Sequence, residues 1–314
     1  MNNFPLVSVL CGCYNQSKFI LESLESVKNQ TYKNFEIIIW DDASTDDSVS
    51  IIEKWIFENP EKEVTLIKHE KNIGICRSLN ECFRLSKGKY IQMLALDDVL
   101  LPDKLERHVA LLEKSTENEA MVFSDANLMD NSSQLYQNKF IALHKKYLSL
   151  KTGNFFDELL LGNFIPAMSI LLKKEIIEKV GEWDEELVYE DYDMLLRLAK
   201  NYDFIVDEEI SAIYRLHEEN SHKNLETKMI KSKYKIYLKH INYNDRVNHL
   251  LKSYLITAYK NRSLEGEQRK YFEVIAPKDF KEQLIMKNKY VKIYKIIEGL
   301  VKMKNKMISK NNKY

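Results

Sequence analysis

The alternation of apolar runs with amphipathic segments over the first 124 residues most constrains how this chain can fold. Short stretches rich in Val, Ile and Leu are separated by segments in which apolar residues recur every three or four positions. The first pattern is typical of a buried strand and the second of a helix packed on a sheet. Their alternation predicts an α/β fold, with a mostly parallel sheet covered by helices on both faces. Strands are expected at Leu6–Cys13, Phe35–Trp40, Val64–Lys68, Tyr90–Leu96 and Ala120–Ser124, and helices at Ile20–Gln30, Ser48–Glu58, Arg77–Ser86 and Leu105–Lys114.

Polar pairs follow three of these strands. In open α/β sheets, ligands bind beyond the carboxyl ends of the strands, so the pairs are expected to face one crevice. Asp, Asn and Ser are also common in turns and helix caps, so any one pair has an equally simple structural explanation. Three such pairs at strand ends favour a ligand site. The pairs are Tyr14-Asn15, Asp41-Asp42 and Asp97-Asp98.

Asp97 and Asp98 place two carboxylates at the end of an apolar strand. Mg²⁺ and Mn²⁺ prefer oxygen ligands and take one or two protein carboxylates together with water and phosphate oxygens. A metal held there would act as a Lewis acid and neutralise a leaving diphosphate. The chain has 8 glycines and contains neither GxxxxGK[ST] nor GxGxxG. Phosphates are therefore expected to be held by metal and side chains rather than by a backbone cradle.

A second acidic group consists of Glu190 and Asp191, which precede an apolar helical pattern. Acidic residues in a first helical turn interact favourably with the helix dipole, which is the structural interpretation. The functional interpretation makes one carboxylate a general base that takes a proton from a hydroxyl. Beyond them, Arg215 and His217 lie on one side of an extended segment. They are either surface residues or part of a site, in which the two would grip a diphosphate or His217 would be a third metal ligand.

Composition excludes several classes of protein. Of 314 residues, 45% are hydrophobic and 30% are charged, which excludes wholesale disorder. No window approaches about 18 consecutive apolar residues, and the first residues lack the pattern of a secretory signal, so a cytoplasmic protein is expected. The four cysteines, at positions 11, 13, 76 and 82, have the spacing of neither a zinc site nor a disulfide framework. Reduced thiols are expected.

The formal net charge of +0 hides a segregation of charge along the chain. Residues 222–314 contain 23 Lys and Arg against 8 Asp and Glu, which leaves 24 against 39 for the rest. Helices are expected at 226–242, 247–262 and 281–310, so a boundary near 225 separates a domain at 1–225 from a basic helical region at 226–314. Their apolar faces either pack on the first domain or a second subunit, or lie on an anionic membrane at its inner face. No nucleic-acid-binding motif accompanies the basic residues, so nucleic acid is not an expected partner.

A series of short motifs runs in order through residues 5–222. Each motif is weak alone, but the ordered set is highly specific, and it resembles the family 2 glycosyltransferases. The motifs are Val7-Ser-Val-Leu with Tyr14-Asn15, Gln30-Thr-Tyr-Lys-Asn-Phe-Glu, Asp41-Asp42-Ala-Ser, Asn72-Ile-Gly74, Lys87-Gly88-Lys-Tyr, Leu96-Asp97-Asp98, Leu101-Pro102-Asp-Lys-Leu, Gly181-Glu-Trp-Asp, Glu190-Asp191-Tyr-Asp and Tyr214-Arg215-Leu-His217.

The resemblance implies a GT-A fold, in which a Rossmann-like nucleotide half is fused to an acceptor half. It implies transfer of a sugar, with inversion, from a nucleoside-diphosphate donor to a hydroxyl of a glycan or lipid-linked acceptor. A UDP-sugar is the expected donor, and bacterial capsule, O-antigen or another surface polysaccharide is the expected product. Position by position, it implies Asp191 as the catalytic base with Glu190 supporting it, and Mn²⁺ or Mg²⁺ on Asp97, with Asp98 and His217 as further metal ligands. The implied donor-binding residues are Tyr14, Asp41, Asp42, Arg77, Asp98, Arg215 and His217.

The sequence departs from the family at Ala95, which stands where the first Asp of the family's Asp-x-Asp metal motif is expected. The change removes an expected ribose contact and favours one alternative, a nucleotide-sugar-binding protein without transfer activity. The retained acidic residues at 97–98 and 190–191 favour an active enzyme. A sugar nucleotidyltransferase is disfavoured because no glycine-rich basic loop follows the first strand. A chain-extending polymerase is a third alternative, although a single set of motifs favours one transfer per visit.

Overall fold

The structure is a computed structural model that describes residues 4–144, 150–188, 190–216 and 226–260, with only the helical backbone described for 226–231 and 258–260. The chain divides into two compact units, Met1–Ser232 and Lys233–Tyr314. His217 and the helix expected at 281–310 lie outside the described residues. None of the helices in the described ranges has the length and apolar character needed to cross a membrane.

A seven-stranded sheet forms the centre of the first unit. Its strands are β1 Val7–Cys13, β2 Phe35–Asp41, β3 Val64–Lys68, β4 Tyr90–Ala95, β6 Glu119–Phe123, β9 Leu171–Lys173 and β10 Asp203–Val206, and their order is β10-β6-β9-β4-β1-β2-β3. β1 pairs in parallel with β2 and β4, β2 with β3, and β6 with β10. β9 runs antiparallel to β4 and to β6. The expected mostly parallel sheet is confirmed, and its single antiparallel member was not foreseen.

A second, four-stranded sheet was also missed. It consists of β5 Val99–Leu100, β7 Ala126–Met129, β8 Leu135–Lys139 and β11 Ala212–Arg215, in the order β5-β11-β7-β8. β11 pairs with β5 antiparallel and with β7 in parallel, and β7 pairs with β8 antiparallel. β5 has only two residues and all of β8 is exposed, so neither shows the apolar pattern by which strands are recognised.

The described helices are α1 Ile20–Lys28, α2 Ser48–Glu58, α3 Ile75–Leu85, α4 Lys104–Glu113, α5 Phe140–His144, α6 Phe156–Leu159, α7 Lys174–Val180, α8 Glu190–Ala199, α9 Glu226–Lys239 and α10 Asp245–Lys260, with a 3₁₀ turn at Ala167–Ser169. α1 buries Ile20, Leu24 and Val27, whose spacing places them on one face. They join the core formed by the central strands, where each fully buried large apolar side chain contributes about 1.5–3 kcal/mol. In the second unit, Tyr234 of α9 packs with Leu251 and Leu255 of α10.

Candidate functional site

The register of the central strands brings the polar pairs to one edge of the sheet. Cys13 of β1 pairs with Asp41 of β2, and Gly12 pairs with Ala95 of β4. The carboxyl ends of β1, β2 and β4 are therefore level, and the residues that follow them meet beyond that edge. A side chain at position 12 would not fit, since a Cβ there would lie 2.4 Å from the ring of Trp40.

The loops after β1 and β2 are joined by hydrogen bonds. The backbone N–H of Asn15 donates to the Ser44 hydroxyl (2.8 Å), and the N–H of Thr45 donates to Asn15 Oδ1 (2.8 Å). The buried Asp41 accepts from both the N–H (2.8 Å) and the hydroxyl (2.5 Å) of Ser44. These contacts hold the loop in which Tyr14 is half exposed, facing solvent at the sheet edge.

Asp42 organises the loop that follows β3. Its Oδ1 accepts from the N–H of Ile73 (2.8 Å) and its Oδ2 from the N–H of Gly74 (3.1 Å). His69 Nδ1 lies 3.0 Å from Asp42 Oδ1, and His69 Nε2 lies 3.0 Å from Glu81 Oε2 on α3. With only 4% of its surface exposed, Asp42 is a support for the 72–74 loop. A direct contact with a nucleotide stays a prediction.

Arg77 is an exposed residue in the first turn of α3. Its Nε lies 3.2 Å from Glu185 Oε2, and 58% of the Arg77 side chain is exposed. Asn80, one turn along α3, donates to the backbone oxygen of Trp183 (2.9 Å) and accepts from the Trp183 N–H (2.9 Å). α3, which follows the loop held by Asp42, thereby also anchors the segment around Trp183, which precedes the acidic pair in the chain.

The Asp97-Asp98 turn connects β4 to β5 and thus one sheet to the other. Asp98 is 3% exposed, and its Oδ1 accepts from the backbone N–H of Arg215 (2.9 Å). Burial, and next the neighbouring Asp97 carboxylate, raise the pKa of Asp98, and the contacts with Arg215 oppose this. Asp97 is 9% exposed. Ala95, the last residue of β4, is exposed at the same edge.

Arg215 lies where the sequence interpretation did not place it. The residue is 1% exposed, and its guanidinium Nε donates to the backbone oxygen of Asp97 (2.9 Å). The Arg215 side chain points into the protein, under the Asp97-Asp98 turn. This geometry therefore does not support the expectation that Arg215 grips the donor diphosphate. The side chain takes this direction because α1 supplies a carboxylate, Glu22, to pair with it.

Glu190 and Asp191 form the first turn of α8, where backbone N–H groups favour negative charge. Asp191 Oδ2 accepts from Asn163 Nδ2 (2.7 Å), and Asp191 Oδ1 from the N–H of Tyr192 (2.6 Å). Desolvation, and then the charge of Asp191, raise the pKa of Glu190 to about 8. The raised pKa favours the protonated form of Glu190 at neutral pH.

Sequence reasoning missed three residues that organise the site: Glu22, His69 and Ser133. The sequence indicates Asn163 only as a residue lining the donor pocket, and its bond to Asp191 was not foreseen. Glu22 and Ser133 are 193 and 82 positions from Arg215, and no local pattern connects them with it.

The oxygen ligands at Asp97 fit a divalent cation that takes few ligands from the protein, such as Mg²⁺ or Mn²⁺. Among the described residues there is no group of three or more His, Cys, Asp and Glu side chains able to hold a metal. Asp98 Oδ1 accepts from the Arg215 N–H, and Asp97 is the more exposed of the two carboxylates, at 9% against 3%. Mg²⁺ or Mn²⁺ bound by one carboxylate completes its coordination with water and phosphate oxygens. The residues therefore suit a metal that arrives with a nucleotide.

Comparison with known proteins decides the family. The family model described as glycosyl transferase family 2 matches residues 8–181, which is more than half of the chain. The chain belongs to glycosyl transferase family 2. This family 2 glycosyltransferase is 32% identical over 216 residues to an uncharacterised glycosyltransferase of Methanocaldococcus jannaschii, covering 68% of this chain and 71% of the relative. It is 29% identical over 216 residues to an uncharacterised glycosyltransferase of Rickettsia prowazekii, covering 68% of this chain and 64% of that relative, less than two thirds of its length.

Solved structures show the GT-A fold. The crystal structure of S. aureus TarS 1–349 in complex with UDP-GlcNAc matches with a TM-score of 0.66 and 16% identity, covering 95% of this chain and 91% of that one. The mannosyltransferase PcManGT from Pyrobaculum calidifontis, in complex with GDP-Man and Mn²⁺, matches with a TM-score of 0.61 and 15% identity, covering 95% and 88%. The expected GT-A fold is confirmed for this family 2 glycosyltransferase.

Proposed function

We propose that this glycosyltransferase transfers a sugar, with inversion, from a UDP-sugar to a hydroxyl of a glycan or lipid-linked acceptor in cell-surface polysaccharide synthesis. The observation that carries the proposal is the convergence of the β1, β2 and β4 ends on one edge, with Asp97 in the turn after β4. TarS in complex with UDP-GlcNAc and PcManGT in complex with GDP-Man support a nucleotide-sugar donor. The choice of UDP rests on the family motif, in which Asp41 would accept from the N3–H of uracil, a proton that cytosine lacks. In the structure Asp41 is buried and both of its carboxylate oxygens accept from Ser44.

Asp97 is the proposed carboxylate for Mn²⁺ or Mg²⁺, and a metal there would neutralise negative charge on the leaving diphosphate. The loops shaped by Asp41 and Asp42 are proposed to hold the nucleoside, with the half-exposed Tyr14 ring against the base and Arg77 reaching toward it. The Mn²⁺ in PcManGT supports a divalent metal.

Asp191 is the proposed base that takes the proton of the acceptor hydroxyl as that oxygen attacks the anomeric carbon from the face opposite the diphosphate. Asn163 fixes the orientation of the Asp191 carboxylate through its bond to Oδ2. With its pKa raised to about 8, Glu190 is protonated at neutral pH and adds no second negative charge beside the proposed base. A base that acts in the transition state affects turnover rather than donor binding.

A nucleotide-sugar-binding protein without transfer activity is the second candidate, and Ala95 favours it. A hydroxyl of the ribose would meet a methyl group there instead of a carboxylate. The location of the protein, contact of the basic region with a membrane, and a second subunit stay predictions, because residues 261–314 lie outside the described part of the chain.

The first test is calorimetric titration of UDP into the full chain with Mn²⁺ and then with EDTA, with CDP and GDP as controls. Metal-dependent binding selective for UDP is expected. Asp97→Ala is expected to abolish the metal-dependent part of the affinity, and Asp191→Asn to leave it intact. Binding of no nucleotide would refute the donor assignment, and unchanged metal dependence in Asp97→Ala would move the metal elsewhere.

The second test separates transfer from binding. Release of UDP from a panel of UDP-sugars is measured for the wild type and for Asp191→Asn. Loss of general-base catalysis lowers kcat by about 10²–10⁴-fold, with the donor KM nearly unchanged. Near-normal turnover of Asp191→Asn would remove Asp191 from the role of base, and nucleotide binding without turnover in the wild type would favour the binding protein.

A further inference from the structure

A buried guanidinium supports the Asp97-Asp98 turn from beneath. Arg215 ends β11, and its backbone N–H donates to Asp98 Oδ1 at 2.9 Å. Its Nε donates to the backbone oxygen of Asp97, also at 2.9 Å. One residue thus holds both members of the turn, Asp98 through its side chain and Asp97 through its main chain.

The rest of the guanidinium is anchored to two other elements. One terminal nitrogen donates to the backbone oxygen of Asp130 (2.9 Å) and to the Ser133 hydroxyl (3.1 Å), in the turn between β7 and β8. The other donates to Glu22 on α1, which also accepts from the Ser133 hydroxyl (2.8 Å). The guanidinium carbon lies 4.5 Å from the centroid of the Phe19 ring.

This arrangement requires an arginine. A planar guanidinium donates in several fixed directions at once, whereas an ammonium is a point charge that cannot reproduce them. Ser133 has a φ of +60°, an uncommon conformation for a residue with a side chain, and its bonds to Arg215 and Glu22 hold it there. With 1% of its surface exposed, Arg215 presents no face to a bound diphosphate.

We propose that Arg215 is a positioning residue: through the Asp97 carbonyl and the Asp98 carboxylate it orients Asp97 toward the metal–nucleotide, without contacting the donor. The inference rests on the proposed function, in which Asp97 is the metal ligand. It assigns Asp98 to the support of the turn rather than to the metal, and it makes α1 and the β7–β8 turn part of the apparatus that orients Asp97.

The test compares Arg215→Lys with the wild type in calorimetric titrations of UDP and of UMP, each with Mn²⁺ and with EDTA. A positioning role predicts that affinity for UDP with Mn²⁺ falls about 10-fold or more, while affinity for UDP in EDTA changes less than about 2-fold. A direct grip on the diphosphate instead predicts weaker UDP binding in EDTA as well, with UMP binding unaffected. Equal Mn²⁺-dependent affinity in the variant and the wild type would overturn the inference.

Matched variants keep the test independent of folding. Asp98→Asn keeps an oxygen that accepts from the Arg215 N–H, so near-wild-type Mn²⁺-dependent affinity is expected, whereas Asp98→Ala is expected to lose it. Equal losses of Mn²⁺-dependent affinity in the two variants would overturn the inference, because they would show that the charge of Asp98 is required rather than its hydrogen bond to Arg215. Glu178→Gln, at an exposed position of α7, is the control and is expected to change affinity less than about 2-fold. All titrations are made well below each variant's Tm. Absence of Mn²⁺-dependent UDP binding in the wild type would overturn the proposed function and this inference with it.

Discussion

Glu190 makes the stability of this protein depend on pH in a direction that can be worked out. Its pKa is raised from 4.5 to about 8, first by desolvation and then by the charge of Asp191. Between these values the folded chain keeps a proton that the unfolded chain releases, so the free energy of unfolding falls by about 1.4 kcal/mol per pH unit. This contribution is absent below about pH 4.5, reaches about 3 kcal/mol at pH 7 and levels off above pH 8.

The variant Glu190→Gln has nearly the same shape and no charge at any pH. It is expected to match the wild type near pH 4.5 and to be more stable by about 3 kcal/mol at pH 7. Urea unfolding followed by circular dichroism at pH 5, 7 and 8.5 measures the difference. Glu178→Gln, on the exposed face of α7, is the control, with changes below about 0.5 kcal/mol at each pH. A difference between Glu190→Gln and the wild type that stays constant with pH would refute the reasoning.

Three further predictions concern the supports of the site. Asp42→Ala leaves the N–H groups of 73–74 without their acceptor and is expected to lower the free energy of unfolding by about 2–3 kcal/mol; a urea midpoint equal to the wild type would contradict this. Gly88→Ala places a Cβ 2.5 Å from a backbone nitrogen of β1 and is expected to lower the free energy of unfolding by about 2 kcal/mol. An unchanged Tm would contradict this by showing that the backbone moves to accommodate the methyl group. Asn163→Ala frees the Asp191 carboxylate to rotate and is expected to lower kcat about 10-fold at constant donor KM; a change in KM alone would assign Asn163 to binding.

The five apolar runs foreseen in the first 124 residues are all strands of the central sheet, and α1 to α4 lie within a few residues of the expected helices. Apolar periodicity reports which residues are buried, and it is strong in elements buried on two faces. β9 spans three residues, Leu171–Lys173, and enters the sheet between β4 and β6. Its position and direction depend on pairing with segments about 50 and 80 residues earlier, which no local pattern reports.

The same distinction between local sequence patterns and tertiary contacts applies to the candidate site. The sequence determined which chemical groups stand at the strand ends, because an apolar strand followed by carboxylates is a local pattern: Asp41 ends β2 and Asp97 follows β4. Only the tertiary structure decided which way neighbouring groups face. Asp98 and Arg215 are 117 positions apart in the sequence. The Arg215 side chain points inward because Glu22 of α1 and the turn after β7 supply hydrogen-bond acceptors for its guanidinium group. A buried charge must be paired, so its direction is set by partners brought from distant parts of the chain.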